Sequence, residues 1–145
     1  MLKTASTILL IGLLFGALYS VVVFVSPQTV VGGRLKADAG WQNPVVANAY
    51  LDETRHLGAF ALATTIGALF ILFAGFKKGQ KWAWWALLFM GIFGWCYGLV
   101  RHIIGGDVKN LIGHAIGAAL FLIGILLPIK AFFPKKTTAA PTSQA

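Results

Sequence analysis

Apolar positions in this chain fall into four long runs: Ala5–Val25, Leu57–Phe76, Trp82–Val100 and Leu111–Ile129. None of the four contains Asp, Glu, Lys or Arg. Runs of about 20 apolar residues match a hydrocarbon core of about 30 Å at a helical rise of about 1.5 Å per residue. Inside lipid every backbone N–H and C=O must be bonded within its own segment, so each run predicts a helix. The chain reads as all-α, a four-span transmembrane helical bundle over residues 1–133 with a disordered tail over residues 134–145.

The connections between runs carry the breakers. Pro27, Gly32-Gly33 and Gly40 interrupt the first, and Asn43-Pro44 then reads as an N-cap followed by proline at the first helical position. The second helix is therefore expected to start near Pro44 and to enter lipid near Leu57. Lys77-Lys78-Gly79-Gln80-Lys81 is a short turn, which makes spans two and three antiparallel neighbours. Gly105-Gly106 marks the turn into span four, and Pro128 and Pro134 bracket its end. Trp82, Trp84 and Trp85 open span three as an aromatic belt. Gly91, Gly94 and Gly98 in span three, and Gly113, Gly117 and Gly124 in span four, mark close helix packing. Residues 5–25 exceed a signal-peptide core and lack a clear cleavage site, so the first span is expected to stay attached.

Composition agrees with a membrane environment: 58% of residues are hydrophobic and 11% charged. The net charge of +8 would suit a nucleic-acid binder, but its distribution argues against nucleic acid as a partner. Lys3, Lys77, Lys78, Lys81, Lys130, Lys135 and Lys136 fall on one side of the bundle with no acid. The other side holds Asp38, Asp52, Glu53 and Asp107 together with Arg34, Lys36, Arg55, Arg101 and Lys109. Positive charge favours the cytoplasmic face, which places both termini in the cytoplasm and makes membrane lipid the expected surrounding partner in the inner (plasma) membrane. Cys96 is the one cysteine, so no intrachain disulfide can form.

This topology gathers residues distant in sequence at the outer face. Asp52, Glu53, Arg55 and His56 precede span two, Arg101 and His102 end span three, and Asp107 precedes span four. His114 lies about one turn inside span four, within an apolar run. Most of these have ordinary structural roles. Arg101 and His102 complement a helix C-terminus, Asp107 a helix N-terminus, and Asp52 can pair with Arg55 or His56. Those roles do not cover His114. Glu53, Arg55, His56, Arg101 and His114 are therefore the candidate ligand-binding residues, lining an outward-facing pocket for a lipophilic or anionic molecule such as a quinone or lipid. Arginine would bind a carboxylate, phosphate or quinone oxygen, and histidine would hydrogen-bond or exchange a proton. Arg101 is expected to hold Glu53 or Asp107 across this face.

Two alternatives use the histidines differently. His56, His102 and His114 with a carboxylate could hold a metal, but no H-x-x-x-H spacing occurs and none is expected. A haem between His102 and His114 would find few small residues around it. The cofactor and the reaction stay unnamed. No phosphate loop or Ser–His–Asp set occurs, and carboxylates are absent from the runs, which argues against an ion-coupled transporter. The competing reading is a non-catalytic accessory subunit packing against a larger membrane complex, or a homodimer, through its glycine-lined faces.

Several short motifs resemble the small four-helix DoxX-like membrane proteins, in particular a bacterial branch described as a domain of unknown function. They are Ser26-Pro27, Asn48-Ala49-Tyr50, Glu53-x-Arg55-x-x-Gly58, and a tryptophan-rich third span ending in Gly98-x-x-Arg101. The resemblance covers about residues 5–130 and matches Glu53, Arg55, Gly58 and Arg101 to family positions. It implies fold and location rather than activity, although the name-giving relatives are associated with quinone-linked sulfur oxidation. That branch carries a further acidic residue in its fourth span, where this chain has His114 among apolar residues.

Overall fold

A computed structural model describes residues 1–31, 42–105 and 108–134, with the backbone alone for Lys109. Among these residues there are helices and turns and no strand. Helix α1 runs Leu2–Val25, α2 Pro44–Ala74, α3 Lys81–Gly91, α4 Tyr97–Ile104, α5 Val108–Leu126 and α6 Ile129–Phe132. A wider π turn, Ile92–Cys96, joins α3 to α4, so Lys81–Ile104 is one helical rod. Three helices are long and apolar enough to cross a membrane: Leu2–Val25, Pro44–Lys78 and Lys81–Ile104. The chain is thus a helical membrane protein by length and composition. The fourth apolar helix, α5, is shorter at 19 residues.

Local chemistry accounts for the helix limits. Asn43 caps α2, its Oδ1 accepting from Val45 N at 2.9 Å, with Pro44 in the first turn where no donor is needed. The second helix begins where the Asn-Pro pair places it. Gly79 stands at φ 71°, the left-handed conformation that closes the turn after α2, and its N–H donates to Phe76 O at 2.9 Å. Helix α5 stops at Leu126, short of the Ile129 limit of the apolar run. Pro128 has no N–H to donate to the carbonyl of Gly124, so the ladder breaks there. In this last turn the carbonyl of Ile125 accepts the indole N–H of Trp84 at 2.9 Å.

The helices close a ring. α1 packs most extensively on α2 and next on α5, and the Lys81–Ile104 rod packs on the same two neighbours. Leu9, Leu72, Phe76, Leu87, Ile125 and Phe132 form a dense core where α1 begins and α2 and α5 end. Lipid tails are as apolar as leucine, so this core gains from dispersion and fit rather than from escape out of water. Gly58 lets α2 meet α1 backbone to backbone: a β-carbon there would lie 2.7 Å from Phe24 N. Gly91, Gly117 and Gly124 likewise accept Phe121, Trp95 and Leu9, whereas Gly94 and Gly113 face open space. The intrachain role expected for the glycines holds at Gly91, Gly98, Gly117 and Gly124 but not at Gly94 or Gly113. The proposed tail from residue 135 onward, Asp107 and residues 32–41 lie outside the described residues.

These contacts separate two glycine substitutions of equal chemistry. Gly58→Ala must push α1 and α2 apart and is expected to lower stability by about 1–3 kcal/mol. Gly113→Ala meets nothing within 4 Å and gains helix propensity, so it should be neutral or stabilising by up to about 1 kcal/mol. Thermal unfolding of both variants in mild detergent checks this, and equal shifts would refute the crossing at Gly58.

Candidate functional site

Two cavities share Tyr19 in their walls; the larger reaches from the dense core at Leu9 and Leu87 up to His114, and the smaller lies at the Arg101 end. The larger, about 360 Å³, sits between α1, α2, the Lys81–Ile104 rod and α5. Its wall is mostly apolar, with Leu13, Ala61, Met90 and Phe93 among its residues. Polar groups are few: Tyr19, Ser20, Thr64, Thr65 and His114. The smaller cavity, about 180 Å³, is lined by Tyr19, Val30, Val31, Tyr50, Arg101, His102 and Asn110. Tyr19 belongs to both walls and forms the seam between them.

The π turn positions the central ring of this region. In a π turn the bond runs from residue i+5 to i, here Tyr97 N–H to Ile92 O, which adds a residue to one turn and re-aims the side chains within it. Trp95 thereby reaches between α1 and α5. Its ring fills the space over Gly117, and a β-carbon on Gly16 would lie 3.0 Å from its Cζ2. Phe15 stacks on the same indole with centroids 6.1 Å apart.

His114 stands beside it, half-buried. Its ring is 5.9 Å from that of Trp95, 6.0 Å from Tyr19 and 4.5 Å from His102. Gly98 makes room for it, since a β-carbon there would lie 2.7 Å from His114 Nε2. Nδ1 lies 3.1 Å from the carbonyl oxygen of Asn110. At 4.5 Å the His102 and His114 rings touch and leave no slot for a macrocycle between them.

The five residues singled out from sequence divide into two groups. Arg101 and His114 line the smaller and larger cavities respectively. Glu53, Arg55 and His56 line neither. Arg55 donates to Asp52 at 2.6 Å on the exposed flank of α2, one of the pairings the spacing allowed. With side chains 42% and 64% exposed, such a pair is worth about 0.2–1 kcal/mol. Glu53 and His56 stand 3.9 Å apart and are exposed at 69% and 74%. Theirs is a Glu-x-x-His spacing, yet no group of three metal-ligating side chains occurs among the described residues. Arg101 is exposed and makes no ion pair with Glu53. Asp107, its other expected partner, lies outside the described residues.

Sequence reasoning overlooked Tyr19, Thr64, Thr65 and Trp95. One signal was available for Trp95. It is a large ring inside a glycine-rich run, and Gly16 and Gly117 on other helices offer it space. Comparison with known proteins adds no assignment, because no family model, curated protein or solved structure matches the chain.

The separation of Arg101 from Glu53 has a thermodynamic signature. Arg101→Ala and Glu53→Gln should change stability additively, within about 0.3–0.5 kcal/mol. A double-mutant cycle by thermal unfolding in detergent measures it, and a coupling above about 1 kcal/mol would show that the two side chains meet.

Proposed function

We propose that this is a small DoxX-like protein of the bacterial inner membrane that binds a lipophilic molecule bearing a polar head. In this reading four helices span the bilayer, both termini are cytoplasmic, and the Arg101 end faces outward. The observation that carries it is a pair of cavities with Tyr19 in both walls. An apolar chamber of about 360 Å³ adjoins a polar pocket carrying Arg101 and His102, with His114 and Tyr19 at the junction. That volume falls within the range of about 300–1,000 Å³ usual for small-molecule sites, as does the mostly apolar lining with a few placed polar groups. A quinone or a lipid would lay its hydrocarbon body in the chamber and its head against the histidines. Arg101 offers a fixed charge for a carboxylate, phosphate or ring oxygen. Glu53, Arg55 and His56 would act at the headgroup layer on the outside of α2 rather than in the pocket.

Native mass spectrometry of the protein purified in mild detergent tests the binding. The expected result is a retained lipophilic molecule, and Thr64→Phe, which fills the chamber from the α2 wall, should reduce its occupancy at least tenfold at unchanged thermal stability. Equal occupancy in the variant would remove the chamber from the account. Stable co-purification with a larger complex and no bound molecule would favour an accessory subunit instead.

The topology has its own test in a Cys96→Ala background. A membrane-impermeant maleimide applied to intact cells should label Val45→Cys, whose native side chain is 75% exposed, and should reach Lys78→Cys only after permeabilisation. The reverse pattern would invert the orientation.

A further inference from the structure

The protonation of His114 restricts what the chamber can accept. Its Nδ1 lies 3.1 Å from the carbonyl oxygen of Asn110, four residues earlier on α5. A carbonyl oxygen only accepts, so a hydrogen bond at that distance requires the proton on Nδ1. The neutral imidazole then carries its lone pair on Nε2. The Nδ1 contact is the hydrogen bond His114 makes among the described residues; Nε2 lies beside Gly98, and it is not one of the fully buried side-chain atoms left without a partner. The ring belongs to the wall of the larger cavity and not to that of the smaller.

Two other polar groups on this wall point to the same chemistry. Ser20 Oγ donates to Gly16 O at 2.8 Å, and Thr65 Oγ1 donates to Ala61 O at 2.8 Å. Their protons are committed to their own helices, which leaves them with lone pairs for a guest. Thr64 and the Trp95 indole N–H remain as donors for a second oxygen. The half-buried ring nitrogen left over on this wall is therefore an acceptor.

We infer that the ligand of this chamber carries a hydroxyl group, as an alcohol or phenol on a hydrocarbon body, and donates it to His114 Nε2. The inference rests on the binding function proposed above and narrows its ligand. A hydroquinone or a hydroxyl-bearing lipid supplies this chemistry, whereas a quinone or an ester-only lipid leaves Nε2 unmet. Sites built around a hydrogen bond reject the analogue that lacks it, because the buried partner then loses water without replacement.

The test compares para-octylphenol with para-octylanisole, which share one body and differ in the hydroxyl proton, by calorimetric titration into detergent-solubilised protein. The wild type should bind the phenol about tenfold more tightly. His114→Phe keeps a ring of similar size without a lone pair, and should bring the two affinities within about twofold while the anisole still binds. His114→Gln restores an acceptor and should recover part of the preference, which also guards against a His114→Phe protein that does not fold. Repeating the titration with octanol and with an alkylhydroquinone separates a lipid alcohol from a hydroquinone as the natural source. Equal wild-type affinities for phenol and anisole would overturn the inference and leave the chamber as a binding site. A preference that persists in His114→Phe would overturn the role of His114. Binding of neither probe would overturn the chamber itself.

Discussion

The indole of Trp95 is the constraint on which the upper half of the bundle depends. It extends from the Lys81–Ile104 rod to α1 and α5 and lies over Gly16 and Gly117. At Gly117 the ring occupies the space where a β-carbon would stand, and at Gly16 a β-carbon would press on it at 3.0 Å. Without such a ring, small-residue faces in lipid approach until backbones touch, since close packing is their main source of attraction. That is the geometry at Gly58, where α1 and α2 meet directly. A rigid bicyclic ring set between helices prevents the same collapse nearer the centre. The larger cavity flanks that ring, with Gly12, Gly16, Gly91 and Gly94 in its wall.

The two ends of the molecule therefore differ in physical character. At the lysine-bearing end, Phe76 and Phe132 meet with centroids 4.9 Å apart, and Trp84 ties α3 to the last carbonyls of α5. Lys77 and Lys81 sit over the rings of Phe73 and Phe133, an arrangement in which a flexible cation reaches the interface above an aromatic stem. That end is closed by packing. The other end holds the histidines and arginines and is built around space. The larger cavity connects the two, since Leu9 and Leu87 of the dense core stand in its wall together with His114.

Elements governed by local chemistry were legible in the sequence. The Asn43-Pro44 start, the Gly79 turn and the extent of the long apolar helices follow from residue types alone. The rotation of each helix was not legible. α2 is apolar nearly all round, so no stripe announces which side faces its neighbours. Its phase turns Glu53, His56, Leu57 and Phe60 together onto the exposed face, at the i, i+3, i+4 and i+7 positions of one side. Residues at one depth thus failed to share one pocket. The π turn adds a second difficulty. An extra residue in one turn rotates all that follows by about 100° relative to a regular helix. Counting along Gly91, Gly94 and Gly98 could not show that Gly94 borders open space while its neighbours meet α5. His114 was found because its anomaly was chemical and needed no knowledge of phase.

The placement of His114 also bears on whether the pocket exists for use or as an accident of packing. A half-buried imidazole among apolar helices is costlier to place than an apolar ring, and α5 satisfies one of its nitrogens through the Asn110 carbonyl. Phenylalanine would fill nearly the same volume beside Tyr19, Trp95 and His102 with nothing to desolvate. If packing alone shaped this site, the cheaper ring would serve. The arrangement instead fixes the ring by its own helix, orients it by the i−4 bond, and makes room for it at Gly98. A histidine held through one nitrogen keeps a lone pair on the other in a fixed direction, which the binding proposed above would use. Preorganisation of that kind lowers the ordering cost of binding. The i−4 bond and the ring contacts with Tyr19, Trp95 and His102 serve the bundle, and the binding proposed above accounts for the nitrogen they leave over.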